Sequence, residues 1–496
     1  MTVIIIIFAF LFMTLGVGLY PAIRGKKENS ALSIDEYMLG KRGLGVVLIF
    51  FTSMATWYSS SLFLGAVAEV YTKGLEWVFG FTSSAIAGLV FFFLGPKIKE
   101  VSDKKLYTTQ ADLFADRFKS NFLGYLASFI GIVFMIPYIV IQMVGTGYIL
   151  EVFTDGKIPY WLGLLVGLSI CLIFIYFGGV RSVAWTDVFL GIVFLISIWA
   201  VVLMVAFKGF GSIPNLFREA ELKVPELLTL PGPEGVNWSY FISMAWVIGL
   251  GGYMWPHMFM RIYSSESAKS VRKVGSLVIF ASLIAQLPIV LGAIAAAILL
   301  PNLEVADTAL LELVKLYAPV WMIGILGAGG IAASLSTVNS LIHAEGVLIS
   351  KDFYSKFTKK KADNINVLKV TKLIIVFISV MAYFLSLTQP QFLWSILAQA
   401  YGGVSQFFPL IVATLFWRKV TKQGAITGMI VGVLVSLFFN FGPIPSPLGI
   451  VPMLWGMLAN TLCLIIVSLL TQNEVNVRNT KEFFGENVLE QHYEAK

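Results

Sequence analysis

The sequence predicts an all-α polytopic membrane protein of about 13 transmembrane helices, in which spans 2–6 and 7–11 form two inverted five-helix repeats. Three observations carry this. Of 496 residues, 58% are hydrophobic and only 13% charged, with a mean hydropathy of +0.84; soluble domains carry roughly 25% charged residues. Uncharged apolar runs recur from end to end, each long enough to cross a hydrocarbon core as a helix. Two of those runs, the second and the seventh, are interrupted midway. Broken helices at matching positions of two halves point to a repeat built around a midplane binding site.

In chain order the spans are expected near residues 2–23, 44–68, 75–96, 121–150, 159–179, 185–207, 238–259, 274–300, 318–349, 369–388, 392–417, 424–442 and 449–470. The first lacks the basic segment of a signal peptide and continues to Ile23 without a small-residue cleavage site, so it reads as a retained span. The repeats occupy about 44–207 and 238–417 of one transmembrane domain, residues 1–472, and 473–496 form a short polar tail. The longest outer loop, about 208–238, holds Pro214, Pro225, Pro231 and Pro233 and is either an ordered cap or a mobile lid.

Alternate loops gather the basic residues. Arg24, Lys26, Lys27, Lys41 and Arg42 precede span 2, and Lys97, Lys99, Lys104, Lys105, Arg117 and Lys119 precede span 4. Arg181, then Arg261, Lys269, Arg272 and Lys273, then Lys351 to Lys372, and finally Arg418, Lys419 and Lys422 lie on the same side. The opposite side holds only Lys73, Lys157, Lys208, Arg218, Lys223 and Lys315. The positive-inside rule then places the N-terminus outside and the C-terminus in the cytoplasm of a cell-membrane protein. The net charge of +7 follows from this topology; no basic stretch is interleaved with aromatics, so nucleic acid is not expected as a partner. Cys171 and Cys463 are the only cysteines and His257, His343 and His492 the only histidines, too few and too scattered for a disulfide framework or a zinc site. No nucleophile–base pair stands out, and neither enzymatic activity nor an organic cofactor is expected.

The second span reads Phe51-Thr52-Ser53-Met54-Ala55-Thr56-Trp57-Tyr58-Ser59-Ser60-Ser61, a hydroxyl-rich patch inside an apolar run. The seventh reads Ile248-Gly249-Leu250-Gly251-Gly252-Tyr253-Met254-Trp255-Pro256-His257. Three glycines weaken that helix and Pro256 removes one of its amide donors. The ninth carries Ile331-Ala332-Ala333-Ser334-Leu335-Ser336-Thr337-Val338-Asn339-Ser340. Ala333, Ser336, Thr337 and Ser340 share one helix face, and their small side chains and hydroxyls serve either close helix packing or a hard cation. Asp187, the only acid of span 6, is either a functional group or a helix N-terminal acid favoured by the dipole.

These stretches resemble the sodium:solute symporter family, whose members share the inverted-repeat fold of the bacterial leucine transporter. The resemblance rests on Leu39-Gly40-Lys41-Arg42-Gly43-Leu44-Gly45, on Tyr176-Phe177-Gly178-Gly179-Val180-Arg181-Ser182-Val183-Ala184-Trp185-Thr186-Asp187, and on the Ala332 to Ser340 run followed by Lys351-Asp352-Phe353-Tyr354. A further motif runs from Gly403-Val404-Ser405-Gln406 through Pro409 and Trp417 to Thr421-Lys422-Gln423-Gly424-Ala425. The resemblance implies a sodium site between spans 2 and 9, formed by the carbonyls of Ala55, Tyr58 and Ala333 and the hydroxyls of Ser336 and Thr337. It implies a second sodium site or exit path at Asp187, Ser336, Asn339 and Ser340, although Leu190 stands where exit-path relatives often carry Gln. Trp57 stands where the proline-transporting branch has an acid. The Ala55 to Ser61 stretch, Gln142-Met143-Val144-Gly145 and Trp255-Pro256-His257 are more similar to the pantothenate and short-chain monocarboxylate carriers.

No Arg or Lys falls inside spans 2, 4, 7 or 11. A carboxylate is therefore expected to meet the amides of the half-helix starting near Trp57 and the hydroxyls of Ser59, Ser60 and Ser61. Gln142, Tyr253, His257, Gln399 and Tyr401 are the expected polar walls, with Trp57, Trp255 and Trp394 as apolar surfaces or gates. The expected protein is a monomeric sodium symporter that imports a small organic solute, a monocarboxylate or pantothenate-like carboxylate, by alternating access. Symport of an amino acid such as proline or of another neutral solute is the alternative, and a non-transporting membrane solute sensor is the alternative of a different class.

Overall fold

The structure is a computed structural model that describes residues 1–27, 34–57, 59–233, 237–357 and 364–484. Among the described residues the only β pairing is an isolated bridge between Leu44 and Ser265, and nine helices are long and apolar enough to cross a membrane. Helix α1 (Thr2–Lys27) is followed by α2 (Ile34–Leu39) and α3 (Val46–Trp57). α3 stops at Trp57, and the chain resumes as a π turn over Ser61–Ala66 that runs into α4 (Val67–Lys73). The second span is broken at its hydroxyl-rich patch. After α5 (Phe79–Lys105), the short amphipathic α6 (Gln110–Phe118) opens on a capping box between Thr109 and Asp112, which satisfies amide donors that a helix start leaves free. α7 (Asn121–Phe153) begins on the Ser120 hydroxyl, which accepts from the Leu123 amide at 3.3 Å.

α8 (Tyr160–Phe210) covers both spans expected at 159–179 and 185–207. The loop expected between them is helical; only Gly179 leaves the helical region, at φ 59° and ψ −164°. A Cβ there would lie 2.7 Å from the Tyr37 carbonyl oxygen, so glycine alone suits both the conformation and the space. The described part of the outer loop contains α9 (Ile213–Lys223), which starts on Ser212, and a 3-10 turn at Pro225–Leu228. Leu227 rests on Gly74, where a Cβ would meet the Leu227 carbonyl oxygen at 2.1 Å.

α10 (Trp238–Gly251) and α11 (Pro256–Ser264) are the two halves of the seventh span. Pro256 takes the first position of α11, where its missing amide costs no hydrogen bond. Next come α12 (Ala268–Leu299), α13 (Ala309–Tyr317) and α14 (Val320–Leu348), which ends in a π turn over Ile349–Tyr354 and the single turn α15 (Ser355–Phe357). After α16 (Asn364–Ser386), the eleventh span divides into α17 (Leu393–Val404) and α18 (Phe407–Phe416), a break not expected from the sequence. Asn460 donates to the Gln406 carbonyl at 2.8 Å, satisfying an acceptor at that break. α19 (Lys422–Phe441) packs on α20 (Pro452–Leu470). Part of the expected tail is α21 (Glu474–Phe484), which lies against α6 with the Phe483 ring 5.6 Å from the Arg117 guanidinium.

α14 is the central helix: every residue from Leu326 to Leu348 is buried, and it packs on α1, α3, α7 and α8. α5 and α12 form a second close pair around Gly88 and Gly275, as expected where small residues let membrane helices approach. The Leu44–Ser265 bridge fastens the start of α3 to the end of α11, with the Leu44 amide donating to the Ser264 carbonyl at 3.0 Å and the Glu266 amide to the Leu44 carbonyl at 2.9 Å. Both broken spans are thereby tied together at one end. A Cβ on Gly275 would lie 2.6 Å from the Phe92 amide nitrogen, so Gly275→Ala is expected to destabilise the protein by about 1–3 kcal/mol. Gly16→Ala, with nothing within 4 Å of the new methyl, should be neutral. Fluorescence-monitored thermal unfolding in detergent compares them, and equal midpoints would remove the close α5–α12 crossing from the account.

Candidate functional site: the broken end of α3 against α14

Ending α3 at Trp57 frees carbonyls that a continuing helix would have used. Side chains from two neighbouring helices meet them. The Tyr138 hydroxyl on α7 donates to the Thr56 carbonyl at 2.8 Å. The Thr337 hydroxyl on α14 lies 3.1 Å from the Ala55 carbonyl oxygen and 3.2 Å from that of Ala333. Across the break, the Gln142 carbonyl accepts from the Ser60 amide at 2.9 Å and its amide donates to the Ser59 hydroxyl at 3.1 Å. The Ser59 and Ser61 hydroxyls are bonded to each other at 2.9 Å, and Ser60 is bonded to Ser334. Gly145 makes room for this: a Cβ there would fall 2.1 Å from the Ser60 hydroxyl oxygen.

Of the residues expected to hold sodium, Ala55, Ala333 and Thr337 are brought together, and Tyr58 lies outside the described residues. Ser336 turns its hydroxyl instead to the Asp187 carboxylate, which also accepts from Thr52. Asp187 is fully buried, and a buried charge persists only when it is paired and hydrogen-bonded. The matching cation is on α11. Arg261 donates from Nε to the Thr52 hydroxyl at 3.1 Å and from Nη2 to the Ser340 hydroxyl at 2.8 Å. Thr52 thus relays between guanidinium and carboxylate. Asn339 stands apart from this network, its Oδ1 accepting from the Cys171 thiol at 2.7 Å.

Arg261 corrects an expectation. Counted with the cytoplasmic loop residues, it is in fact only 3% exposed, because the seventh span continues as α11 beyond the break and carries it inward. A basic residue five positions after a Pro-His step was the signal for it. Thr52 was part of the hydroxyl-rich patch without being singled out.

A narrow cavity borders the break; of the expected residues, Trp57, Ser61, Trp394 and Tyr401 line it. Trp77, Ser84 and Gln286, from segments that carried no motif, line it too. Gln286 donates to the Ser84 hydroxyl at 2.6 Å. Its carbonyl oxygen and the indole nitrogens of Trp77 and Trp394 are buried without a hydrogen-bond partner among the described residues. A second, smaller cavity is lined by Thr52, His257, Arg261, Ser340 and His343. His343 bonds to the Tyr37 carbonyl at 3.0 Å, whereas both His257 ring nitrogens lack a partner among the described residues. An aromatic cluster fills the junction, with Trp57–Tyr253 centroids 5.1 Å apart, Tyr138–Trp255 5.1 Å and Trp255–Tyr401 5.2 Å.

Several expected wall residues are placed otherwise. Gln142, Ser59 and Ser60 are committed to the break itself. Tyr253 belongs to the aromatic cluster and lines neither cavity. His257 faces the second cavity rather than the first. Gln399 is exposed; two residues from Tyr401, it falls on the opposite face of α17.

Comparison with known proteins agrees with this architecture. The sequence model of the sodium:solute symporter family matches residues 37–432. The chain is 28% identical to a sodium/pantothenate symporter of Escherichia coli (strain K12), over 89% of this chain and 93% of that one. It is 26% identical to a sodium/proline symporter of Staphylococcus aureus, over 89% and 88% of the two chains. Its fold is similar to that of a Na+-coupled sialic acid symporter in a substrate-bound outward-open state, with a TM-score of 0.80 at 19% identity, covering 95% of this chain and 98% of that one. With the family pattern matched over most of its length and a broken α3 set against the hydroxyl stripe of α14, this chain is an integral membrane protein that belongs to the sodium:solute symporter family.

Proposed function

We propose that the protein is a sodium-coupled symporter that moves a small organic carboxylate by alternating access. The observation that carries this is the meeting of the Ala55 carbonyl, the Ala333 carbonyl and the Thr337 hydroxyl at the end of α3. Three oxygens from two helices, with no nitrogen or sulfur among them, suit a hard monovalent cation. Turning the Thr337 proton outward frees all three for Na+; the Ser336 hydroxyl joins them by leaving Asp187, and the Tyr58 carbonyl belongs to the set by position. Asp187 and Ser340 form the proposed second site or exit path, where an entering cation competes with the Arg261 guanidinium. Asn339, held by Cys171, is left out of it.

The breaks in the second and seventh spans support two inverted repeats, about 44–207 and 238–417, in a thirteen-span domain with its N-terminus outside, working as a monomer. In that scheme α3, α5, α10, α11 and α12 move against α7, the first half of α8, α14 and α16. The Arg261–Ser340 hydrogen bond crosses from one group to the other, so it parts when the second cavity opens. Sodium that binds one arrangement more tightly shifts the population toward it.

The unclaimed groups of the first cavity support the substrate class. Among the described residues the Trp77 and Trp394 indoles are donors without an acceptor, and the Gln286 oxygen is an acceptor without a donor. A carboxylate that also carries a hydroxyl or amide, as a pantothenate-like acid does, answers both needs. Arg261 lines the other cavity, so neutral donors and the half-helix after the break hold the carboxylate. Proline symport has the support of the Staphylococcus aureus relative; Trp57, in place of an acid, speaks for the carboxylate.

In proteoliposomes, pantothenate or short monocarboxylates are expected to evoke currents in sodium but not potassium buffer. Ser336→Ala with Thr337→Ala should abolish the sodium dependence and leave membrane insertion intact; unchanged sodium activation would remove the site. Currents with proline alone would replace the carboxylate. Trp77→Phe keeps the ring and deletes one donor, so KM should rise about tenfold with a smaller change in kcat; an unaltered KM would take Trp77 out of the binding set. Arg261→Ala cuts the α11–α14 tie, and a cysteine introduced at Ala344, in the second cavity, should then be alkylated several-fold faster than in the parent. Equal rates would mean that Arg261 does not hold that cavity shut.

A further inference from the structure

Where α5 ends, α7 begins and α14 gives way to its π turn, the bundle holds an open cavity. Lys105, Lys119, Lys351 and Lys356 line it, against the carboxylates of Asp112 and Asp116. Both acids are already engaged. Asp112 accepts from the Thr108 and Thr109 amides at 2.9 and 3.1 Å. Asp116 accepts from the Tyr107 hydroxyl at 2.5 Å and lies 3.0 Å from the Lys119 ammonium and 3.7 Å from that of Lys105.

The other two lysines come from the segment that follows α14. Lys351 has no ion pair among the described residues. Lys356 lies 3.6 Å from the Asp352 carboxylate, and its Nζ makes no hydrogen bond among the described residues. Asp352 is buried and committed to the hydroxyls of Thr109 at 3.0 Å and Ser128 at 2.5 Å. It thereby pins the π turn to α6 and α7, from which Lys351 and the buried Lys356 ammonium line the cavity; π turns recur at functional sites. Four lysines thus meet three carboxylates here, and Lys351 is the ammonium without an ion pair among the described residues.

Leu106, which lines the cavity in a left-handed conformation at φ 56°, is 68% exposed, and Phe122, next to the lining Asn121, is 57% exposed. Three helices long and apolar enough to cross a membrane end at this level, at Lys105, Asn121 and Tyr354. A basic pocket between membrane helices at the interface matches an anionic headgroup, and the exposed apolar pair beside it matches acyl chains. We infer that this cavity binds the phosphate of an anionic phospholipid, whose chains run past Leu106 and Phe122. The ammonium donors would bind free phosphate as well; the exposed Leu106 and the three membrane-crossing helices that end here are what favour a lipid.

The test uses the full chain, delipidated in dodecyl maltoside, with thermal unfolding and native mass spectrometry as readouts, so it is independent of transport. Phosphatidylglycerol is expected to raise the unfolding midpoint by several degrees and to remain bound, while phosphatidylcholine and inorganic phosphate do neither. Lys105→Gln with Lys351→Gln, which spares the contacts of buried Asp352, should weaken retention of phosphatidylglycerol at least about fivefold. Lys105→Arg with Lys351→Arg should keep it, which separates lost charge from lost folding. Equal retention by the Gln variant and the parent would overturn the site. An equal effect of inorganic phosphate would overturn the lipid assignment in favour of a soluble anion, and an equal effect of phosphatidylcholine would overturn the role of charge.

Discussion

An interrupted helix inside an apolar protein leaves backbone amides and carbonyls that water cannot reach, and each must find a partner or cost several kcal/mol. At the end of α3 that requirement organises the centre of the molecule. Tyr138 and Gln142 from α7, and Thr337 and Ser334 from α14, all turn toward the break. The polar groups that keep the broken helix in place are the same oxygens that a cation can borrow. A site built this way is already held before anything binds, and removing its ion does not leave it without hydrogen bonds.

The Asp187–Thr52–Arg261–Ser340 chain applies the same constraint to charge. Neither charged group could stay buried alone, and the network draws on four helices: Thr52 and Arg261 on α3 and α11, Asp187 and Ser340 on α8 and α14. The Leu44–Ser265 bridge joins α3 to α11 at their adjoining ends, so a shift of one carries the other. The break of α3 and the network between Asp187 and Arg261 share α14 as their common wall.

Much of this was legible along the chain because its signals are local. Three glycines and Pro256 weaken a helix wherever they stand, and hydroxyls one turn apart share a face in any helix, so the breaks and the α14 stripe could be read residue by residue. The division of α17 from α18 was not legible, since the Asn460 that satisfies Gln406 is 54 positions away. Gly179 was quoted within a motif, but that it alone separates two helical runs depends on the Tyr37 carbonyl pressed against it. Gln399 was misplaced because polarity, without a fixed helical phase, does not say which face is buried.

Composition and periodicity by themselves determined the helical membrane class, the two interruptions and the small hydroxyl stripe, because each follows from the transfer energies and backbone preferences of neighbouring residues. Tertiary structure alone decided which oxygens converge and which are already spent. It set Gln142 to the break rather than the cavity wall, turned Ser336 toward Asp187, brought Arg261 out of an expected loop into the interior, and lined a cavity with Trp77 and Gln286. Those assignments depend on contacts between residues up to hundreds of positions apart, such as Ser60 with Ser334, and a pairing of that range leaves no trace in the spacing of either partner.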